Sequence, residues 1–125
     1  MDIVVYTDGS SIPNPGKGGW AYIILIDDME IECNGKVEFT TNNKMEITAV
    51  IKALEDLKDT KRNIIIYSDS QYVINCAKKL WKRNKNIELW DQYDKFSNGK
   101  NITFNWVKGH SGDHYNSKVD ILSKY

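Results

Sequence analysis

The sequence predicts a mixed α/β fold with elements in the order βββαβααβα. Three observations carry that expectation. Three apolar or alternating runs precede any helical period, between residues 2 and 39. The apolar spacing then switches from two to 3.6 over residues 43 to 58. Beyond that point strand-like and helix-like segments alternate. Consecutive strands followed by alternation imply a mixed sheet covered by helices. The strand–helix–strand connection is expected to be right-handed, and ligands in such sheets sit beyond the carboxyl ends of the strands.

"DIVVYTD", residues 2 to 8, reads as the first strand. "SSIPNPGKGG", residues 10 to 19, holds both prolines and three glycines and reads as a loop. "GWAYIILID", residues 19 to 27, and the alternating "MEIECNGKVEF", residues 29 to 39, read as a hairpin turning at Asp27-Asp28. Ile47, Val50, Ile51, Leu54 and Leu57 form the apolar face of a helix. "NIIIYSD", residues 63 to 69, has the unbroken apolar character of a strand buried on both faces. "SQYVINCAKKLWKR", residues 70 to 83, reads as a second helix and "IELWDQYDKF", residues 87 to 96, as a short third. "NITFNWV", residues 101 to 107, is the fifth strand and "SKVDILSKY", residues 117 to 125, a closing helix.

A chain of 125 residues fits one domain spanning 1–125 and can bury a core without staples. Its 41% apolar and 27% charged residues argue against disorder. No run approaches the roughly 20 apolar residues needed to span a bilayer, and the start lacks a basic n-region, so a membrane or secretory role is not expected. Cys33 and Cys76 belong to no C-x-x-C pattern, as expected of two reduced thiols in a cytoplasmic protein. Lys plus Arg and Asp plus Glu both number 17, so net charge selects no partner. Distribution says more: "KKLWKRNK", residues 78 to 85, holds five basic residues, one tryptophan and no acid. It reads as a binding patch or as a solvated helix end.

The acids carry the chemistry. "IVVYTDGS" and "IIIYSDS" each drive an apolar strand into Tyr, a hydroxyl residue and an aspartate, Asp8 and Asp69. Taken singly, Asp8 is an ordinary Asp-Gly turn residue and Asp69 a helix N-cap. Glu46 could close a capping box with Asn43, and Asp120 could be an exposed helix acid. Together they change meaning. Two strand-end aspartates can be neighbours, a glutamate early in the covering helix can face them, and Asp120 can join from the last helix. Carboxylates converging without basic partners repel one another. They are, however, the hard oxygen ligands that Mg²⁺ requires, and two ions ~3.5–4 Å apart can hydrolyse a phosphodiester.

"YTDGSSIPNPGKGGWA", "TTNNKMEITAVIKAL", "IYSDSQYV" and "WVKGHSGDHYNSKVDILS", in that order and over nearly the whole chain, resemble type 1 ribonuclease H. The resemblance implies a five-stranded mixed sheet whose second strand is antiparallel to its neighbours. It implies a metal-dependent endonuclease that hydrolyses the RNA strand of RNA–DNA hybrids, leaving 3′-hydroxyl and 5′-phosphate ends. Two Mg²⁺ ions would be the cofactors, with Mn²⁺ as substitute and no organic cofactor, and the protein would be a monomer. The family's catalytic and metal-binding carboxylates map onto Asp8, Glu46, Asp69 and Asp120, and its loop histidine onto His110. Imidazole chemistry suits His110 to proton shuttling or product release, and Gly109 and Gly112 beside it are expected to loosen the loop. Hybrid contacts map onto Asn14, Asn43 and Gln71 for the RNA strand or minor-groove edges and Asn42 for the DNA strand. Asn14, Asn42 and Asn43 also read as turn and cap residues. "PNPGKGG" is no phosphate loop, because the Lys-Ser/Thr ending and following helix are missing.

The chain also departs from the family. Lys44 stands where many relatives have arginine, keeping charge but losing the bidentate fork. Phe39 occupies the place of a DNA-phosphate arginine, leaving Thr41 and Asn86 in that pocket. Affinity is then expected to lean on the basic segment, with Trp81 the tryptophan that touches nucleic acid. The closing helix ends five residues past Asp120, short enough to fray. The complete carboxylate set argues against a catalytically silent hybrid-binding module, and "TNNKME" and "GHSGDHYN" argue against a DNA nuclease built on the same sheet.

Overall fold

A computed structural model describes residues 1–109 and 113–125. The strands are β1 (Ile3–Ser11), β2 (Gly16–Ile26), β3 (Met29–Thr40), β4 (Ile64–Ser68) and β5 (Ile102–Trp106). The helices are α1 (Asn42–Asp56), α2 (Gln71–Ala77), α3 (Ile87–Ser97) and α4 (His114–Ser123). All five strands form one sheet in the order β3-β2-β1-β4-β5. β2 is antiparallel to both neighbours, while β1, β4 and β5 run parallel. The order βββαβααβα and the mixed sheet are those predicted. Among the described residues no helix is long and apolar enough to cross a membrane.

The two-residue period of β1 and β2 sorts their side chains onto two faces. Ile3, Val5, Tyr22 and Ile24 join Ile64 and Ile66 beneath α1 and α3, packed with Ile47, Val50, Leu54 and Trp90. Ala21, Ile23, Tyr6 and Leu25 face the other way and meet Val119, Tyr115 and Leu122 of α4. Because α4 crosses β1, β2 and β3, the second face of β4 is only half covered. Ile64 and Ile66 are buried while Ile65 and Tyr67 are intermediate, so the expected burial of β4 on both faces is corrected to one.

Several boundaries differ from the sequence reading, each for a local reason. The loop predicted over 10–19 shrinks, because β1 runs to Ser11 and β2 begins at Gly16. The second helix stops at Ala77 instead of Arg83. Arg83 folds back on the helix end, its Nε donating to Cys76 O (2.8 Å) and its Nη2 to Ala77 O (3.3 Å). A cation satisfying the last carbonyls is a favourable helix stop, and Lys79, at φ 62°, turns the chain away. The closing helix begins at His114, three residues early, because the Asp113 side chain accepts from Asn116 N (2.9 Å). Thr41, not Asn43, caps α1. Ser70, not Asp69, caps α2.

Candidate active site

β1 and β4 are adjacent and parallel, in the register Tyr6↔Tyr67. The two Tyr–hydroxyl–Asp triplets therefore end side by side, with the tyrosine rings stacked at 4.9 Å and 13°. Of the two aspartates expected at strand ends, Asp69 does follow β4 directly, whereas Asp8 lies inside β1, three residues before its end at Ser11, because β1 continues to pair with β2 as far as Gly18. Glu46 arrives from α1, which the chain brings unusually close to β1 at Gly9. A Cβ on Gly9 would stand 2.3 Å from Met45 C and 2.6 Å from Glu46 N, so only glycine permits this approach. One carboxylate oxygen from each of Asp8, Glu46 and Asp69 lies within 4.8 Å of the others.

The electrostatics follow from crowding. Asp8 is 4% exposed and Glu46 9%. Burial, then the charge of Asp69 and a hydrogen bond and charge from Asp120, pushes Asp8 up to about 8, against a small lowering by Gly9 N–H. Burial, then the charges of Asp8 and Asp69, raises Glu46 well above the usual carboxylate range. Glu46 Oε1 is buried without a hydrogen-bond partner among the described residues. An orphaned buried carboxylate oxygen beside two further carboxylates fits a divalent cation, which satisfies the lone pairs and cancels the repulsion together.

Asp120 comes to this cluster from α4, close enough to act on Asp8. It also pairs with Lys124 at 3.6 Å. The end of α4, short enough to fray, has several contacts that oppose fraying. Ser123 is fully buried, and its Oγ donates to Asp120 O (2.8 Å). Lys36 Nζ donates to Leu122 O (2.9 Å) and to Lys124 O. Gly19 lets β2 pass directly under the helix end, where a Cβ would come within 2.2 Å of Ser123 O.

The residues assigned to nucleic-acid contact border this edge in two groups. Asn14 Oδ1 accepts from Asn42 N (3.1 Å) and from Ser11 Oγ (3.1 Å), and Asn42 Oδ1 accepts from Ser11 N (2.7 Å). This small network locks the β1–β2 loop to the start of α1. Asn43, Trp81, Lys82, Lys85 and Asn86 line a cavity of about 230 Å³. Lys44 and Asn86 line another of about 470 Å³ with Thr40 and Glu88. Thr41 caps α1, its Oγ1 accepting from Lys44 N (3.2 Å), next to Thr40 of that cavity. Gln71 is exposed at the first turn of α2. Of the basic segment, Arg83 faces inward, bonded to Asp94 (2.8 and 2.9 Å) and stacked 4.8 Å from the Trp90 ring. The exposed charges there are Lys78, Lys79, Lys82 and Lys85.

Comparison with known proteins decides the family. The RNase H family model matches residues 1–125. The chain belongs to the RNase H family. It is 44% identical over 135 residues to the ribonuclease H of Ehrlichia chaffeensis, covering 98% of this chain and 92% of that protein. Two solved structures share its fold. The RNase H1 of Halobacterium salinarum superposes with a TM-score of 0.84 at 24% identity, covering 98% of this chain and 95% of that one. LC11-RNase H1, solved in complex with an RNA/DNA hybrid, does so with a TM-score of 0.84 at 24% identity, covering 97% and 93%. As a ribonuclease H the protein is an enzyme, a hydrolase.

His110 lies outside the described residues. Gly109, just before it, comes within reach of Asp69, where a Cβ would sit 3.1 Å from Oδ2. Two residues at this ribonuclease H site escaped the sequence reading. Trp106 Nε1 donates to Asp69 O (3.2 Å) and, with Val107 N on Ser68 O (2.9 Å), fixes the turn that carries Asp69. Asn116 is 3% exposed and shares a cavity of about 150 Å³ with Asp69, Ser117, Asp120 and Ile121. Its signal was present, since it stands four residues before Asp120 and so on the same helix face.

Proposed function

We propose that this ribonuclease H hydrolyses the RNA strand of RNA–DNA hybrids endonucleolytically by a two-metal-ion mechanism, leaving 3′-hydroxyl and 5′-phosphate ends. The observation that carries the reading is the meeting of Asp8, Glu46 and Asp69 oxygens within 4.8 Å, from two strands and a helix. These three residues and Asp120 would hold two Mg²⁺ ions, for which Mn²⁺ can substitute. When bound, such ions supply an activated water and stabilise the leaving oxygen of a phosphodiester. The protein's own part is placement. Asp8 inside β1 and Asp69 just past β4 sit on backbone held by the sheet, and α1 delivers the largely buried Glu46 beside them. Asn14, Asn42, Asn43 and Gln71 offer short polar side chains to the sugar edges, where a 2′-hydroxyl tells RNA from DNA. Lys44 and Asn86 would take a phosphate of the DNA strand, and Trp81 with Lys82 and Lys85 would flank the duplex farther out.

The test is cleavage of an end-labelled RNA–DNA hybrid, with duplex DNA and duplex RNA beside it. Cutting of the RNA strand alone is expected with Mg²⁺ and none with EDTA. Asp69→Asn should lower the rate by at least about 10³-fold while leaving the circular-dichroism spectrum unchanged. A variant that cuts at the parental rate would remove the assignment.

A further inference from the structure

The loops entering β4 and β5 lie side by side at the end of the sheet opposite the carboxylates. Ile64 pairs with Ile102 there, and Ile64 N donates to Asn101 O (2.8 Å). Between the loops is a cavity of about 330 Å³ lined by Thr60, Lys61, Arg62, Gly99, Lys100 and Asn101. Three of these carry positive charge and none is acidic.

The cations are held in place and incompletely used. Lys100 Nζ donates to Lys58 O (2.7 Å) and Thr60 O (3.2 Å), which bridges the two loops with backbone carbonyls and no carboxylate. An ammonium has three donors, so one remains. Arg62 gives Nη2 to Asp27 (3.2 and 3.3 Å), while its Nη1 is buried without a partner among the described residues. Lys61 is exposed and forms no ion pair among the described residues. Asn101 Nδ2 is bound to Asn63 Oδ1 (2.6 Å), which stiffens the rim. Gly99, at φ 74°, has open space where a side chain would stand, so the mouth is unobstructed. Asp27 neutralises one of the three charges. Two remain in a concave polar setting.

We propose that this cavity binds a phosphate-class oxyanion, distinct from the hybrid site. A phosphate dianion matches the residual charge, and its oxygens suit converging charge-assisted donors from Arg and Lys. β4 separates the cavity from the carboxylates by roughly 17 Å of strand, so a phosphate here is not one being cleaved. The source is either a backbone phosphate of nucleic acid or a free phosphorylated ligand.

Pyrophosphate titrated into the EDTA-treated protein, followed by ¹H–¹⁵N NMR, tests this. Saturable shifts are expected for the amides of 60–62 and 99–101, with an apparent Kd at or below about 1 mM, the affinity a few charge-assisted bonds supply. Lys61→Gln, on an exposed side chain whose loss cannot unfold the protein, should weaken binding at least about threefold. The Lys61→Gln/Arg62→Gln pair should weaken it more than about tenfold. Linear, unsaturated shifts, shifts centred on Asp8 and Asp69, or equal affinity in Lys61→Gln would overturn the proposal. A second arm replaces pyrophosphate with an RNA–DNA hybrid. Shifts at 60–62 that pyrophosphate reverses identify a backbone phosphate, and shifts with pyrophosphate alone identify a free ligand. No carboxylate of the nuclease site takes part, so loss of cleavage in Asp69→Asn leaves this result untouched.

Discussion

Asp8 sits in an inhospitable place for a charge: it is buried, and Asp69, Asp120 and Glu46 lie close by. Replacing it with asparagine keeps the shape and removes one of the repelling charges. Asp8→Asn should therefore abolish hybrid cleavage and yet raise the metal-free stability by about 1–3 kcal/mol, read as a higher urea midpoint at pH 8. A lower midpoint would mean that Asp8 stabilises the fold and the cluster needs no ion. Trp106 acts more quietly. Its indole N–H holds the Asp69 carbonyl, and Trp106→Phe deletes that bond while keeping most of the ring. One hydrogen bond is worth about 1 kcal/mol, so kcat should fall roughly three- to tenfold with KM unchanged, and the Mg²⁺ concentration for half-maximal rate should rise. A change in KM alone would mark Trp106, which is 50% exposed, as a substrate contact. The paired aspartates were legible in the sequence because strand register repeats a local pattern. Trp106 and Gly9 were not, since the partners that give them meaning lie 37 residues away in one case and on a different element in the other.

At the scale of elements, the site depends on how closely helices approach strands. Gly9 reads as turn chemistry after an aspartate, yet it lies inside β1, and its role is to admit α1. Gly9→Ala should push α1 off β1, costing about 1–3 kcal/mol as an overpacked core contact does. Cleavage should fall more steeply than stability, because Glu46 moves with the helix. Differential scanning calorimetry beside the cleavage assay separates the two effects, and a fully active, equally stable variant would disprove the close approach. The element pattern itself was readable, since period two and period 3.6 depend on neighbours in sequence. The ends were not. α2 stops where Arg83, six residues beyond its last residue, reaches back to its carbonyls, and no periodicity encodes a side chain folding back. Nor could the sequence show that α4, ending soon after Asp120, is pinned by Lys36 and by the passage of β2 at Gly19. Those contacts join residues more than eighty positions apart.

Across the whole molecule, folding and ion binding are coupled through protons. In the unfolded chain Asp8 would titrate near 3.9, and in the folded, metal-free protein near 8, with Glu46 shifted in the same direction. Between these values the native state binds more protons at Asp8 than the unfolded one, so the stability that Asp8 contributes falls as pH rises from about 4 to about 8, and Glu46 adds to the fall in the same direction. Divalent cations require the same oxygens deprotonated. They compete with protons at low pH and relieve the repulsion at high pH. The stabilisation that Mg²⁺ confers, RT ln(1 + [Mg²⁺]/Kd), should therefore be close to zero at pH 5 and grow steadily to pH 8. Melting curves at fixed ionic strength, with Mg²⁺ or EDTA at each pH, measure it directly. In Asp8→Asn both the pH slope of the metal-free protein and the growth of the Mg²⁺ effect should flatten, because the group that links them is gone. A Mg²⁺ effect of equal size at pH 5 and pH 8 would place the ion elsewhere on the protein. It would leave the buried oxygens of Asp8 and Glu46 without the partner that their crowding requires.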